Sequence, residues 1–184
     1  MISHLFTRVI KTVFLSLVLM VFTSYTPLDS ALKHVLLEGT YSFRTTGDLQ
    51  QGLQGRIDFE KGIEVSDDGV PFATLKLNLQ NNETSSHHTM GFLISKENRF
   101  KDISEGTYNV KNSIDGFIPN FDGVFGFANV KRLGELPFFA YKGSITIDDI
   151  KEDTLNGSLR INMRNLNGRT IFINGDFMAK IRIE

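Results

Sequence analysis

The chain has 184 residues, of which 41% are hydrophobic and 22% are charged, so it can bury the core of one globular domain and does not have a disordered composition. It contains no cysteine, which excludes disulfide bonds and thiolate chemistry. Its formal net charge of −1 argues against a nucleic-acid binder, which normally carries an excess of basic residues.

The N-terminal segment has the order of a secretory signal peptide. Arg8 and Lys11 precede an apolar run over residues 13–22, and polar residues follow it. That run is shorter than the roughly 20 apolar residues that a membrane-spanning helix needs. We therefore expect residues 1–30 to be an export signal that is cleaved between positions 23 and 30. A permanent membrane anchor is the alternative.

The remaining chain, residues 31–184, is predicted to be a single exported domain that does not span the membrane. No linker and no change of composition divides it. Loss of Arg8, Lys11 and Asp29 removes a net charge of +1 and leaves −2 on the mature chain. An exported chain without cysteine fits a bacterial envelope protein, located in the periplasm, at the cell surface or in the medium.

Alternation of apolar and polar residues dominates this domain and is typical of antiparallel strands with one wet face. In "GSLRINMRN", for example, Leu159, Ile161 and Met163 share one face, and Arg160 and Arg164 lie on the other. The alternation and the intervening turns predict nine strands, at residues 34–44, 53–60, 70–80, 87–95, 105–111, 123–131, 137–148, 154–164 and 169–183. No segment after residue 30 shows a convincing helical stripe. Short strands at near-regular spacing predict an all-β, single-domain antiparallel β-sandwich or flattened β-barrel of about eight to nine strands.

Three Asn-Gly pairs occur close together near the C-terminus. Asn167-Gly168 lies between two alternating runs and predicts a hairpin with a type I′ turn. Asn156-Gly157 is predicted to open or bulge a strand. Asn174-Gly175 is either a second hairpin or a bulge in one long strand, and we favour the bulge because a hairpin would leave a very short strand before it.

A shared local pattern of Gly, polar, apolar, polar, apolar begins at five glycines: Gly39, Gly55, Gly106, Gly143 and Gly157. No fixed period links the five, so they are not solenoid repeats. We interpret them as glycines at bulges or strand starts, each followed by two inward-facing side chains.

The C-terminal half contains five features in a fixed order: a Gly-Thr-Tyr strand at Gly106, Gly-Ser-x-x-Ile at Gly143, a short acidic loop, an Asn-Gly hairpin, and Gly-x-Phe at Gly175. In this order of features it resembles the C-terminal half of small exported β-sandwich domains from Bacteroidota-type cell envelopes. That group has no established activity, and many members are lipoproteins, whereas this chain lacks the cysteine they need. The resemblance implies an all-β fold and an envelope location. A second resemblance, of Gly39-Thr40-Tyr41 and Arg182 to the calycin group, implies a calycin-like ligand-binding barrel.

Candidate catalytic and metal-binding residues are few. His87 and His88 would point to opposite faces of a strand and are predicted to be solvent-exposed. The acidic run "DDIKED" lacks the ligand spacing of a calcium loop, so a solvated turn is expected. Asp58, Glu60 and Glu64 are interpreted as surface carboxylates rather than a glycosidase pair. We predict no catalytic residue, no metal site and no cofactor.

The aromatic cluster around "GFIPNFDGVFGF" is the one candidate contact site. It is loop-like and apolar, and it either caps one end of the core or contacts a ligand or partner. Its members are Phe117, Phe121, Phe125, Phe127, Phe138 and Phe139. The sequence therefore favours an exported, non-enzymatic envelope or binding module whose partner is a lipid, a glycan or an envelope protein, and not nucleic acid. The alternatives are a β-barrel carrier of a small hydrophobic ligand and an extracytoplasmic hydrolase.

Overall fold

In the computed structural model, the residues described are 36–66, 68–81, 83, 87–97, 102–111 and 121–182. They lie in one compact unit that begins at Leu36. The expected export signal lies outside the described residues. Within the described ranges, no helix is long and apolar enough to cross a membrane. The strands are β1 (Thr40–Gly47), β2 (Gly52–Val65), β3 (Pro71–Asn81), β4 (His88–Glu97), β5 (Gly106–Asn109), β6 (Gly123–Val130), β7 (Phe138–Ile150), β8 (Thr154–Arg164) and β9 (Thr170–Ile181).

Eight of these strands form a closed antiparallel barrel. The order is β1-β2-β3-β4-β6-β7-β8-β9, and β9 pairs with β1 to close the ring. The short strand β5 is additional and pairs with β7 beside β6. The prediction of an all-β fold with eight to nine strands is confirmed, and the barrel rather than the sandwich is the architecture that forms.

The first strand departs from its predicted range of 34–44. It begins at Thr40 because Gly39, with φ +74°, lies in a turn where the Thr40 amide donates to the Leu37 carbonyl at 3.1 Å. It then continues to Gly47, along a full ladder of pairs with β9.

The barrel has two distinct ends. The β1–β2, β3–β4, β6–β7 and β8–β9 connections lie at one end, which we call the upper rim. The β2–β3 and β7–β8 connections lie at the other, lower end, with the long connection from β4 through β5 to β6. Ile103, Tyr108 and Phe121 of this long connection are buried, and Ile103 and Tyr108 belong to the core cluster, so the connection packs against the lower end.

Cross-strand pairs of a glycine with an aromatic ring fill much of the interior. The inward-facing pairs are Gly55 with Tyr41, Gly126 with Phe92, Gly157 with Phe177, and Gly175 with Phe43. In each pair, a Cβ built on the glycine would clash with its partner. A glycine on one strand thus makes room for the ring opposite, which accounts for two of the five Gly-led patterns in the sequence, those at Gly55 and Gly157.

Two of the three Asn-Gly predictions need correction. Asn167-Gly168 does form the β8–β9 turn, but only Gly168 has a positive φ, so the turn is not type I′. Asn174-Gly175 lies within one long strand, as favoured, yet the register with β8 and β1 is continuous and contains no bulge. Asn156-Gly157 is opposite a register shift in β7 between Ile147 and Asp149, where a bulge was expected.

Candidate functional site

Four basic side chains share the outer surface of the barrel on β7, β8 and β1. They are Arg44, Lys142, Arg160 and Arg164, and we call them the basic flank. All four are exposed, because their neighbours along each strand, such as Phe43 and Leu159, take the inward positions. Their outward direction follows from the period-two alternation of these strands.

Strand register brings the cations of the flank together. Arg160 of β8 is opposite Asn174 of β9, and Asn174 is opposite Arg44 of β1. Neighbouring strands are about 4.8 Å apart, so the two arginines are roughly 10 Å apart at the backbone. Lys142 of β7 is opposite Asn162, two residues from Arg160, which makes Lys142 and Arg160 diagonal neighbours.

The basic flank lacks neutralising carboxylates. Within the described chain, none of its four cations forms an ion pair. Asp176 is exposed on the same outer surface of β9, two residues from Asn174, and it lowers the net charge of this surface although it forms no ion pair with the four cations. Like charges on neighbouring strands repel one another. The flank therefore holds a positive potential that a bound anion would relieve.

Aromatic and amide side chains lie between these cations. The Arg164 guanidinium lies over the Tyr141 ring, 4.6 Å from its centroid, which orients Arg164 along the sheet. Phe172 is opposite Asn162 and is half-buried on the same outer surface. The flank thus combines point charges with amide groups and ring faces on a sheet surface.

Charge is unevenly distributed over the molecule. The strand ends and connections at the lower end carry most of the described acidic side chains: Glu64, Asp68, Glu97, Asp102, Glu105, Asp122, Asp148, Asp149, Glu152 and Asp153. The basic flank lies toward the upper rim. A chain with a near-neutral total charge therefore presents a local cationic surface, which the total charge conceals.

The six phenylalanines of the predicted contact site do not share one environment. Phe117 lies outside the described residues. Phe121 and Phe138 are buried, at 5% and 0% exposure. Phe125, Phe127 and Phe139 face outward on β6 and β7, and the rings of Phe125 and Phe139 are 6.2 Å apart. Only these three belong to an outer surface, and their contact with a partner stays a prediction.

The largest side chains of the barrel interior are close-packed and leave no room for water around them. A cavity that could admit a water molecule would leave accessible area on the residues around it. The largest interior side chains each have at most 2% exposure: Tyr41, Phe43, Phe59, Phe138 and Phe177. These positions are close-packed, as expected for a barrel of eight strands whose interior side chains fill it.

Two histidines flank the start of β4 and have opposite environments. His87 is exposed, as predicted. The same prediction is wrong for His88, which is 0% exposed, with Nε2 hydrogen-bonded to the Tyr41 hydroxyl at 2.5 Å between the heavy atoms. Burial raises the pKa of the Tyr41 phenol well above its ordinary value. His88 faces inward because it shares the alternation of Met90 and Phe92, which are inward-facing residues of β4.

The acidic residues lie where a surface role was expected. Asp58 and Glu60 both accept from the Asn78 amide, at 3.0 and 3.3 Å, and Glu60 pairs with Arg182 at 2.9 Å. These groups are on the outer surface of β2 and β3 rather than across a cleft. Among the residues that the structure describes, no cluster of three or more His, Asp or Glu side chains could hold a metal ion.

Tyr41 and Arg182, which carry the calycin resemblance, have separate partners, and the resemblance stays a prediction. Arg182 bonds to Glu60 and to the Phe59 carbonyl, whereas Tyr41 contacts Phe43 and His88. Comparison of the chain with protein-family models, with curated proteins and with solved structures finds no match. The inference of function therefore rests on the geometry of the chain itself.

Proposed function

We propose that the protein is an exported, non-enzymatic binding module of the cell envelope, and that its basic flank binds an acidic polysaccharide. Export is supported by the order of charged, apolar and polar residues over positions 1–30. Binding is supported above all by one observation: Arg44, Lys142, Arg160 and Arg164 lie on one outer surface of the barrel, and none of them forms an ion pair with a carboxylate of the described residues.

The spacing of these cations suits a polymer better than a small ion. Arg160 and Arg44 are roughly 10 Å apart at the backbone, so one small anion cannot satisfy the whole flank. At physiological ionic strength the screening length is about 8 Å, so charges repeated along a polymer act on several of these cations at once. The amides of Asn162 and Asn174 lie between the cations and can bond to sugar hydroxyls.

A polysaccharide is favoured over a lipid surface by the side chains of the flank. Binding to a bilayer normally adds exposed apolar side chains that insert below the headgroups. Asn162, Asn174 and Ser144 instead lie among the cations, and the neighbouring rings of Tyr141 and Phe172 are half-buried in the sheet surface. The exposed ring of Phe139 lies at the edge of the flank, opposite Arg164. Sugar rings stack on such partly exposed aromatic faces, and their hydroxyl groups match the amides.

The test is a binding titration with polygalacturonate, a carboxylated polysaccharide, by biolayer interferometry. We expect the exported protein to bind polygalacturonate and not neutral dextran, and we expect added salt to weaken binding because the contacts are exposed ion pairs. The double variant Arg44→Gln/Arg160→Gln should bind about 2- to 30-fold more weakly, from roughly 0.2–1 kcal/mol for each exposed pair.

A matched control removes the same charge elsewhere. Arg56 and Lys96 are exposed on β2 and β4 and have no ion-pair partner among the described residues. Arg56→Gln/Lys96→Gln should keep the wild-type affinity. Equal loss in both double variants would mean that only total charge matters. If the protein binds phosphatidylglycerol vesicles or single-stranded DNA more tightly than polygalacturonate, the polysaccharide is not the ligand, and the tighter-binding class takes its place in the proposal.

A further inference from the structure

A cleft of about 380 Å³ opens at the upper rim, between the β1–β2, β6–β7 and β8–β9 connections. Two arginines line it: Arg132 from the short 3₁₀ turn after β6, and Arg169 from the turn before β9. A volume of this size is within the range of small-molecule sites. None of the four cations of the basic flank lines the cleft, so it is a separate feature.

Arg169 is held in place by several contacts. Its Nη1 donates to the Leu133 carbonyl at 3.0 Å, and its Nε lies 3.6 Å from Oδ1 of Asp48. The other oxygen of Asp48 accepts from the Thr170 amide at 2.7 Å. One oxygen of the Asp48 carboxylate thus contacts Arg169 and the other accepts from Thr170, the first residue of β9. These contacts fix the guanidinium of Arg169 at the side of the cleft.

Arg132 provides the charge that remains unbalanced. Its Nη1 donates to Oε1 of Gln51 at 3.0 Å, which is a neutral acceptor. Over the described parts of the chain, no carboxylate is within ion-pair distance of Arg132. The cleft therefore contains two guanidinium groups and one carboxylate, a net charge of +1. A guanidinium presents a planar fork that matches a carboxylate with two parallel hydrogen bonds.

The cleft also has an apolar part. Leu49 is 3% exposed and belongs to the hydrophobic core, while Leu133 is half-buried and packs against that core. Both leucines line the cleft beside the arginines. A ligand here would meet cationic donors at one side and aliphatic carbon at the other.

We propose that this cleft binds a small molecule that combines a carboxylate with a short apolar body. The carboxylate lies between Arg132 and Arg169, and the apolar body covers Leu49 and Leu133. The proposal does not rest on the polysaccharide site, because it uses other residues and a monomeric ligand.

The test is a titration of the isotope-labelled protein with hexanoate, followed by amide chemical shifts. We expect a Kd on the order of 1 mM, typical of so small a ligand, and shifts centred on Gly47, Leu49 and Leu133. Hexanamide, which has the same shape without the charge, should bind at least about fivefold more weakly. Arg132→Gln should weaken hexanoate binding by a similar factor, and Arg132→Lys should restore only part of it.

Lys131→Gln is the matched control, because Lys131 is exposed on the same 3₁₀ turn and does not line the cleft. It should leave hexanoate affinity unchanged. The proposal is overturned if hexanoate does not bind, if hexanamide binds equally well, or if Arg132→Gln has no effect. Shifts centred on interior residues such as Phe59 would also overturn it and would place the ligand inside the barrel. An unchanged spectrum of each free variant checks that the variants are folded.

Discussion

Replacing Gly126 by alanine tests the glycine–aromatic packing of the interior. Gly126 of β6 is buried opposite Phe92 of β4, and its backbone conformation is open to any residue. A Cβ here would be 2.7 Å from Cε1 of Phe92 and closer still to Cδ1, so the ring must move. Overpacking of this kind costs about 1–3 kcal/mol, and the loss of unfolded-state freedom returns about 0.4–1 kcal/mol. We expect Gly126→Ala to lower the free energy of unfolding by about 1.3 kcal/mol, the difference between the middle values of these two ranges.

Urea unfolding followed by circular dichroism measures this change. Gly52→Ala is the matched control, because a Cβ at Gly52 would meet only the Phe43 carbonyl oxygen at 3.9 Å. It should be neutral or stabilise by up to about 1 kcal/mol. Phe92→Leu in the Gly126→Ala background should recover at least about 1 kcal/mol relative to the sum of the single changes. Equal stability of Gly126→Ala and wild type would refute the close packing, and so would an equal loss in Gly52→Ala.

Two further substitutions probe buried hydrogen bonds. Burial raises the pKa of Tyr41 in the folded protein, so the unfolded chain loses this proton first as pH rises. The free energy of unfolding should therefore be constant near neutrality and fall above about pH 10, by at most about 1.4 kcal/mol per pH unit. Tyr41→Phe should abolish that fall in urea unfolding between pH 9 and 11, whereas Tyr141→Phe, at a partly exposed ring, should keep it. The Asn165 side chain accepts from the Asn167 and Arg169 amides at 3.1 and 3.0 Å, so Asn165→Ala should cost about 1–2 kcal/mol in thermal unfolding. Asn167→Ala, at an exposed position, should change stability by less than about 0.5 kcal/mol, and a larger loss there than at Asn165 would contradict this account of the turn.

Much of the fold follows from sequence periodicity alone. Seven of the nine strands lie within two residues of their predicted ranges, because apolar alternation directly reports which side chains face the core. β1 begins six residues later than predicted, and β2 continues five residues further. Turn geometry was harder to predict. At Asn167 the type I′ prediction failed because the Asn165 side chain organises the turn without a left-handed asparagine. No bulge is needed at Gly175, because Ile173 and Phe177 are an even number of residues apart and already share a face.

The candidate sites depend on which strands become neighbours, and that is not encoded in any one segment. Alternation correctly placed Arg160 and Arg164 on the outer surface of their strand. Arg44 joins them only because β1 closes the barrel against β9. Its cross-strand partner on β9 is Asn174, which lies 130 residues further along the sequence. Lys142 joins them through a register irregularity in β7. Distant pairing of this kind leaves no periodic signal.

The predicted aromatic site shows that residues close together in the sequence need not share a surface. Phe138 and Phe139 are adjacent in sequence, yet the first is buried and the second is 40% exposed. Neighbouring residues of a strand point to opposite faces, so closeness in sequence does not create a shared surface. Phe125 and Phe139 do meet, because β6 and β7 pair along that edge.

The most direct test of the central claim is a chemical-shift map of the protein titrated with polygalacturonate. The account predicts that shifts concentrate on outward positions of β7, β8, β9 and β1, including Arg44, Arg160 and Asn174, and that interior positions such as Phe59 do not respond. Shifts centred on the interior, or on the outward positions of β2 and β3, would contradict it. The first of these results would favour a carrier barrel, and the second would move the binding surface to the other side of the molecule.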